Sequence, residues 1–439
     1  MGLIPSIALV VFGVSYALIA TEKIHRVAAA LGGVAVMAIL GLFRKEGPLV
    51  SAESAFFSEH TGVDWSVIFL LFGMMIVVSV LRHTGLFEFI ALWAARMSKG
   101  RPIRLLIVLT LVTAFFSPIL DNVTVVLLVA PVTMSVCKRL EISPIPYLLS
   151  LIFAANVGGT STLIGDPPNL IIASRADLTF TDFLVYSLPL TVILLVVLVG
   201  VLAFMFRKDM KKVIDVDEAL GDIDPADAIP NVGLLVRCLV VLAIIMVVFG
   251  LHEVVPLDPP VVSMLGAGLM VLVSRTKPHQ FLAEVEWTTL AFFMALFVLV
   301  GVLVEIGVIG LLGDFAAELM GGNELLGVTG LLFGSAGIGA VVDNIPYTTA
   351  MVPIVSEMVA ATSHVGAASP LWWAFVFGAD LGGNMTSVAA GANVVVIGLA
   401  ASDGNRISFW KFAKYGIPVT LLTVVIAWVY IYLRFFIFV

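Results

Sequence analysis

Two short stretches of this chain are rich in groups that can do chemistry. The first is NVGGTSTLIGDPPN, Asn156 to Asn169, and the second is DLGGNMTSVAAGAN, Asp380 to Asn393. DNVT at 121–124 and DNIPYT at 343–348 add two more polar clusters. Together they offer neutral donors and acceptors on Asn122, Thr124, Thr160, Ser161, Thr162, Asn169, Asn344, Thr348, Asn384, Thr386 and Asn393, with main chain exposed at Gly159. They also hold four carboxylates, Asp121, Asp166, Asp343 and Asp380. Neutral amides and hydroxyls suit a small polyhydroxylated solute or a hydrated cation. A carboxyl group stripped of water can take up a proton and exchange it for a cation. Asp121 and Asp343 fit equally well as N-caps of the helices that follow them. No Lys or Arg falls inside these stretches. A dicarboxylate or phosphate site usually wants one, although helix N-termini alone can hold an anion.

The elements that carry these groups are membrane helices. Of 439 residues, 61% are hydrophobic and 12% charged, about half the charged share of a soluble domain. Apolar runs predict spans near 4–21, 27–43, 65–82, 147–173, 180–206, 233–250, 259–274, 287–304, 371–400 and 412–433. The fourth and ninth are interrupted by the two polar stretches. Regions 103–137 and 325–360, each broken midway, predict helical hairpins that enter and leave on one side. Met1 to Ala20 lacks a basic leader and a small-residue cleavage site, and reads as a retained first span. Cys137 and Cys238 are the only cysteines, too few for a disulfide framework or a Cys-rich metal site. The net charge of -7 carries little information about partners, and no basic tract points to nucleic acid.

The basic residues set the sidedness. With non-crossing hairpins, 19 of the 23 Lys and Arg fall on one face, leaving Arg44, Lys45, Arg175 and Arg434 on the other. The basic face is expected in the cytoplasm, within the plasma (inner) membrane, and both termini outside. The hydrophilic segment 207–232 is then a cytoplasmic linker between residues 1–206 and 233–439.

Those two parts match each other. At a shift of 222 residues VDWS (63–66) falls on VEWT (285–288), and DNVTVVLLVAPV (121–132) on DNIPYTTAMVPI (343–354). With two more residues inserted, Gly158-Gly159 meets Gly382-Gly383, Thr162 meets Thr386 and Asn169 meets Asn393. Each copy holds five crossings and one re-entrant hairpin. Five is odd, so the second copy enters the membrane from the opposite side. The expected fold is all-α and polytopic, with two inverted repeats whose interrupted helices meet at the midplane, where transporters bind their substrates. Unpaired main chain at that depth survives only where it is buried in protein or lines a wet cavity.

FFSPILDNVTVVLLVAPV, NVGGTSTLIGDPPN and GADLGGNMTSVAAGANVV resemble the ion transporter superfamily that includes the arsenical pump membrane proteins, sodium/proton antiporters of the same fold and the melanosomal P protein. The resemblance covers essentially the whole chain. It implies a scaffold and a mobile transport domain, commonly dimeric, working by an elevator motion. Dicarboxylate relatives carry a Ser-Asn-Thr motif at each hairpin tip, whereas here the tips read Asp121-Asn122-Val123-Thr124 and Asp343-Asn344-Ile345-Pro346. No cofactor is expected. The chain has no nucleotide-binding motif, so an ion gradient or a separate ATPase subunit must drive it. Proton-coupled efflux of arsenite or antimonite leads the readings, with sodium/proton antiport beside it. Paired inverted hairpins fit alternating access better than a channel. An enzyme is disfavoured, since His25, His60, His83, His252, His279 and His364 all fall near span ends or in loops.

Overall fold

The computed structural model describes residues 3–21, 24–39, 56–58, 62–208, 210, 224–251, 254–255 and 257–438. Every regular element among them is helical. The chain opens with α1 (Leu3–Thr21), α2 (Arg26–Ile39) and α3 (Trp65–Arg82). After α4 (Leu86–Met97) the hairpin is α5 (Pro102–Leu120) and α6 (Asn122–Arg139). The interrupted span follows as α7 (Ile145–Gly159) and α8 (Pro167–Ala176), then α9 (Phe180–Met205). The second part runs α10 (Val232–Gly250), α11 (Pro259–Ser274), short α12 (Pro278–Ala283), α13 (Trp287–Glu305) and α14 (Val308–Met320). It closes with the hairpin α15 (Glu324–Gly339) and α16 (Asn344–Ala360), the broken pair α17 (Pro370–Gly382) and α18 (Gly391–Ser402), and α19 (Phe409–Ile437). Trp65, Leu86, Pro102 and Asn122 open four successive helices, and the residues 222 further on, Trp287, Val308, Glu324 and Asn344, open four more.

Local chemistry sets many of these boundaries. Asp64, Asn231, Asn323 and Ser408 cap their helices by accepting a main-chain N–H from the first turn. Pro102, Pro167, Pro259 and Pro370 sit at first helical positions, where no N–H is needed. Gly85 (φ 77°) and Gly307 (φ 74°) turn the chain into α4 and α14 through the left-handed region that favours glycine.

Seven of the described helices are long and apolar enough to cross a membrane by length and composition. The 15 residues of α7 and the 10 of α8 are each too short to do so. At 1.5 Å per residue neither alone covers a hydrocarbon core of about 30 Å. Two helices, α4 and α14, are absent from the spans expected above. Both are amphipathic and carry charges (Glu88 and Arg96, Asp314 and Glu318), so no apolar run announces them. The expected linker lies partly outside the described residues, at 209 and 211–223. Its end, the turn Pro225–Ala228, packs on α4, and a Cβ on Gly85 would strike the Ala228 carbonyl.

The helices pack as two groups. A framework forms from α1, α2, α3, α10, α11 and α13. The other group gathers both hairpins, both broken spans, α9 and α19. Within it the packing is reciprocal: α8 lies against hairpin helix α16, and α18 against hairpin helix α6. Helices α4 and α14 bridge the groups. Burial follows position, with 72% of α13's apolar window enclosed by protein and 28% of α9's.

Candidate functional site

Each broken span is held open by one set of hydrogen bonds, made twice. In the first, Asn169 Nδ2 donates to the carbonyls of Gly159 (3.2 Å) and Thr162 (2.9 Å). In the second, Asn393 Nδ2 donates to those of Gly383 (2.6 Å) and Thr386 (2.7 Å). The Thr162 hydroxyl donates to the Pro118 carbonyl in hairpin helix α5, and the Thr386 hydroxyl to Ala340 just after α15. The hairpin tips complete the set, with Asn122 N donating to Gly165 O (3.0 Å) and Asn344 N to Ala389 O (3.1 Å). These bonds answer the main-chain groups that a helix break leaves unpaired. Gly159 and Gly165 approach so closely that a Cβ on either would strike the other's carbonyl oxygen.

Inside this frame lies a buried cluster of amides and carboxylates centred on Asn156. Asn122 Nδ2 donates to Asn156 Oδ1 (3.1 Å) and to Asp166 Oδ2 (2.6 Å). Asn344 Nδ2 reaches Asp166 Oδ1 at 3.5 Å, so the asparagines of both tips converge on one carboxylate. Asn156 Nδ2 crosses to the second half and donates to Asn384 Oδ1 (3.0 Å) and Asn393 Oδ1 (3.2 Å). Asp380 occupies the place in α17 that Asn156 occupies in α7, facing Thr160 and Asn169. Asn122, Asn156, Asp166, Asn344, Asp380, Asn384 and Asn393 are all at most 1% exposed. Several buried atoms here have no hydrogen-bond partner among the described residues: Asn122 Oδ1, Asn169 Oδ1, Thr348 Oγ1, Asn384 Nδ2 and both oxygens of Asp380. Five of the six can accept, so the centre is short of donors. A small cation, a proton or the hydroxyls of a neutral solute would supply them. No group of three or more His, Cys, Asp or Glu that could hold a metal ion occurs among the described residues.

The structure thus sorts the residues picked from sequence. Asn122, Asp166, Asn344, Asn384 and Asn393 meet at the centre, with Asp380, Thr160 and Asn169 beside them. Six others face elsewhere. Ser161 and Thr162 donate to main-chain carbonyls of Gly158 and Pro118, and Thr386 to that of Ala340. The Thr160 hydroxyl is likewise turned back to the Asn156 carbonyl. Thr124 donates to Asp121 Oδ2 (2.6 Å), and Asp121 Oδ1 accepts Thr124 N, as an N-cap does. Asp343 caps α16 through Ile345 N and pairs with Arg26 of the framework at 3.3 Å. Hydroxyls one turn or less from a freed carbonyl satisfy it first, which leaves the centre to longer amides. Asn156 itself was missed among the candidates. Its signal was present, because the shift that pairs Asn169 with Asn393 also pairs Asn156 with Asp380.

Two cavities flank the cluster along the cleft between the helix groups. One, of about 350 Å³, is lined by Arg26, Glu286 and Phe293 of the framework and by Asp121, Pro167 and Ile345 opposite. Asn122, Asp166 and Asn344 are chain neighbours of those last three, directly behind its wall. The other, of about 940 Å³, is lined by Asp64, Trp65 and Phe297 of the framework and by Ile171, Arg175 and Thr349.

Comparison with known proteins gives a family and a fold. A family model described as citrate transporter, CitMHS, matches residues 16–378. An uncharacterized transporter of Mycobacterium tuberculosis is 46% identical, covering 98% of this chain and 99% of its own. Human P protein is 30% identical, over 97% of this chain and 59% of that protein. Among solved structures, the YdaH transporter of Alcanivorax borkumensis superposes with a TM-score of 0.58 over 93% of this chain and 97% of its own, at 15% identity. That last likeness is one of fold.

Proposed function

The chain belongs to the CitMHS citrate transporter family and is a multi-pass membrane transporter; we propose that it is a secondary active carrier that expels arsenite or antimonite in exchange for protons. The observation that carries this reading is the donor-poor, cation-free centre: amide oxygens, two carboxylates and no Lys or Arg. Arsenous acid is neutral, small and covered with hydroxyl donors, which match the unpartnered acceptors. A citrate anion would meet carboxylates there, and Arg26, the guanidinium lining the smaller cavity, is already paired with Asp343. Asp166 and Asp380 are the proposed proton carriers, with Asp121 and Asp343 as caps that shape the tips. The free oxygens of Asn122, Asn169 and Asp380 also favour a second reading, sodium/proton antiport, because sodium prefers oxygen ligands.

Residues 1–206 and 233–439 are read as inverted repeats joined by a cytoplasmic linker, 207–232. The equal spacing of helix starts and the doubled hydrogen-bond frame support that reading. The two-group packing supports an elevator motion of the hairpin group against the framework, in the plasma membrane and as a dimer. An attached ATPase subunit would be an alternative energy source. The test is uptake into everted vesicles under an imposed pH gradient, with arsenite, sodium and citrate offered separately. Arsenite accumulation that a protonophore abolishes is expected. Gradient-driven accumulation of citrate alone would overturn the proposal, and movement of sodium alone would select the second reading.

A further inference from the structure

The two cavities are separated by very little protein. On α13, Phe293 lines the smaller cavity and Phe297 the larger. On α8 the corresponding residues are Pro167 and Ile171, and on α16 they are Ile345 and Thr349. Each pair is four residues apart, a rise of about 6 Å, or one helical turn. Three helices from both sides of the cleft therefore agree on the thickness of the partition. Its filling is apolar. Phe293 and Phe297 are 1% and 5% exposed, and their rings lie against each other with centroids 6.4 Å apart. Ile345 lines the smaller cavity with Phe293 and Ile171 the larger with Phe297, and the one hydroxyl among these residues, on Thr349, is turned to its own helix at the Ile345 carbonyl. The two cavities sit toward opposite ends of α13, Glu286 and Thr289 lining one, Val300 and Val304 the other.

We propose that Phe293 and Phe297 form the permeation barrier of this protein, an apolar septum one helical turn thick that belongs to the framework. Hydrophobic constrictions block water and ions by dewetting, and two adjoining buried rings across so short a path are enough to do so. The thinness sets the stroke. Because Pro167 and Ile345 stand one turn from Ile171 and Thr349, a shift of the hairpin group by about 6 Å carries the polar centre from the wall of one cavity to the wall of the other. This second clause rests on the alternating-access reading above, whereas the septum does not.

The test separates the two. Single cysteines are introduced as Phe293→Cys and Phe297→Cys after Cys137 and Cys238 are replaced by serine. In sealed proteoliposomes of fixed orientation, an impermeant thiol reagent should reach position 293 from one side only and position 297 from the other only. Reaction of both from the same side would overturn the septum, whatever the transported solute proves to be. Phe293→Ala and Phe297→Ala should each raise the substrate-independent proton leak at least tenfold, read with a trapped pH dye, while Phe293→Leu and Phe297→Leu stay tight. Alanine variants that are folded, monodisperse and as tight as wild type would also overturn it. For the stroke, spin labels on α8 and α13 should show two distance populations differing by about 6 Å. A single population with the septum labelling intact would remove the stroke and leave the barrier.

Discussion

The two broken spans share a frame and differ in contents. Around Asn156–Asn169 and Asp380–Asn393 the same asparagine, threonine and tip N–H make the same bonds to the same main-chain positions. Within that frame the first half places Asn156 where the second has Asp380, and Asp166 where the second has Ala390. Each half thus contributes one carboxylate, at non-equivalent places. Their surroundings differ as well: Asp166 is held by both hairpin asparagines, whereas Asp380 faces Thr160 and Asn169 without a well-formed hydrogen bond among the described residues. The backbone geometry is used twice, whereas the placement of the carboxylates is not. Two equivalent acids facing one another would titrate as a pair, in two steps that belong to neither alone.

The largest effect should come from erasing this asymmetry. Asp380→Asn makes position 380 match position 156, and Asp166→Asn removes the other acid with little change of size. Each should abolish accumulation driven by a pH gradient while leaving downhill exchange measurable. Accumulation at the wild-type level in either variant would remove that residue from coupling. A smaller effect should separate the hairpin tips. Asn122 donates at 2.6 and 3.1 Å, Asn344 only at 3.5 Å. Asn122→Ala should therefore slow initial uptake roughly tenfold, and Asn344→Ala less, since a contact at 3.5 Å is at the far limit of hydrogen-bond length. Equal losses would mean that the tips act as a symmetric pair. Smallest should be the loss of a frame hydroxyl. Thr386→Val leaves the Ala340 carbonyl unpaired, and Thr162→Val leaves the Pro118 carbonyl unpaired and also removes the acceptor of Gly165 N (3.1 Å), at about 1–3 kcal/mol per orphaned group, lowering the melting temperature in detergent without altering pH dependence. A larger loss for Thr386→Val than for Thr162→Val would show that this extra bond contributes nothing.

Much of this was legible beforehand, and the reasons are physical. Apolar runs end where the helices end because lipid demands them, so 259–274 was read to the residue and both hairpins within a residue or two. The breaks announced themselves by glycine and proline. Helices α4 and α14 did not, since a charged, amphipathic helix has no run to count. The destinations of hydroxyls were also invisible: nothing in TST at 160–162 says that each will turn to a carbonyl. The Arg26–Asp343 pair joins residues 317 apart in sequence, and only the assembled fold brings them together.

The contact of Gly159 with Gly165 bears on what an engineer could do with this molecule. The waist of the first break is main chain against main chain, with no side chain to trim. Replacing a bulky residue with a smaller one has nothing to act on there. Adding even a methyl group would push the two strands of the break apart. The spacing at that waist is set by the peptide backbone itself, and only the amides around it are open to variation.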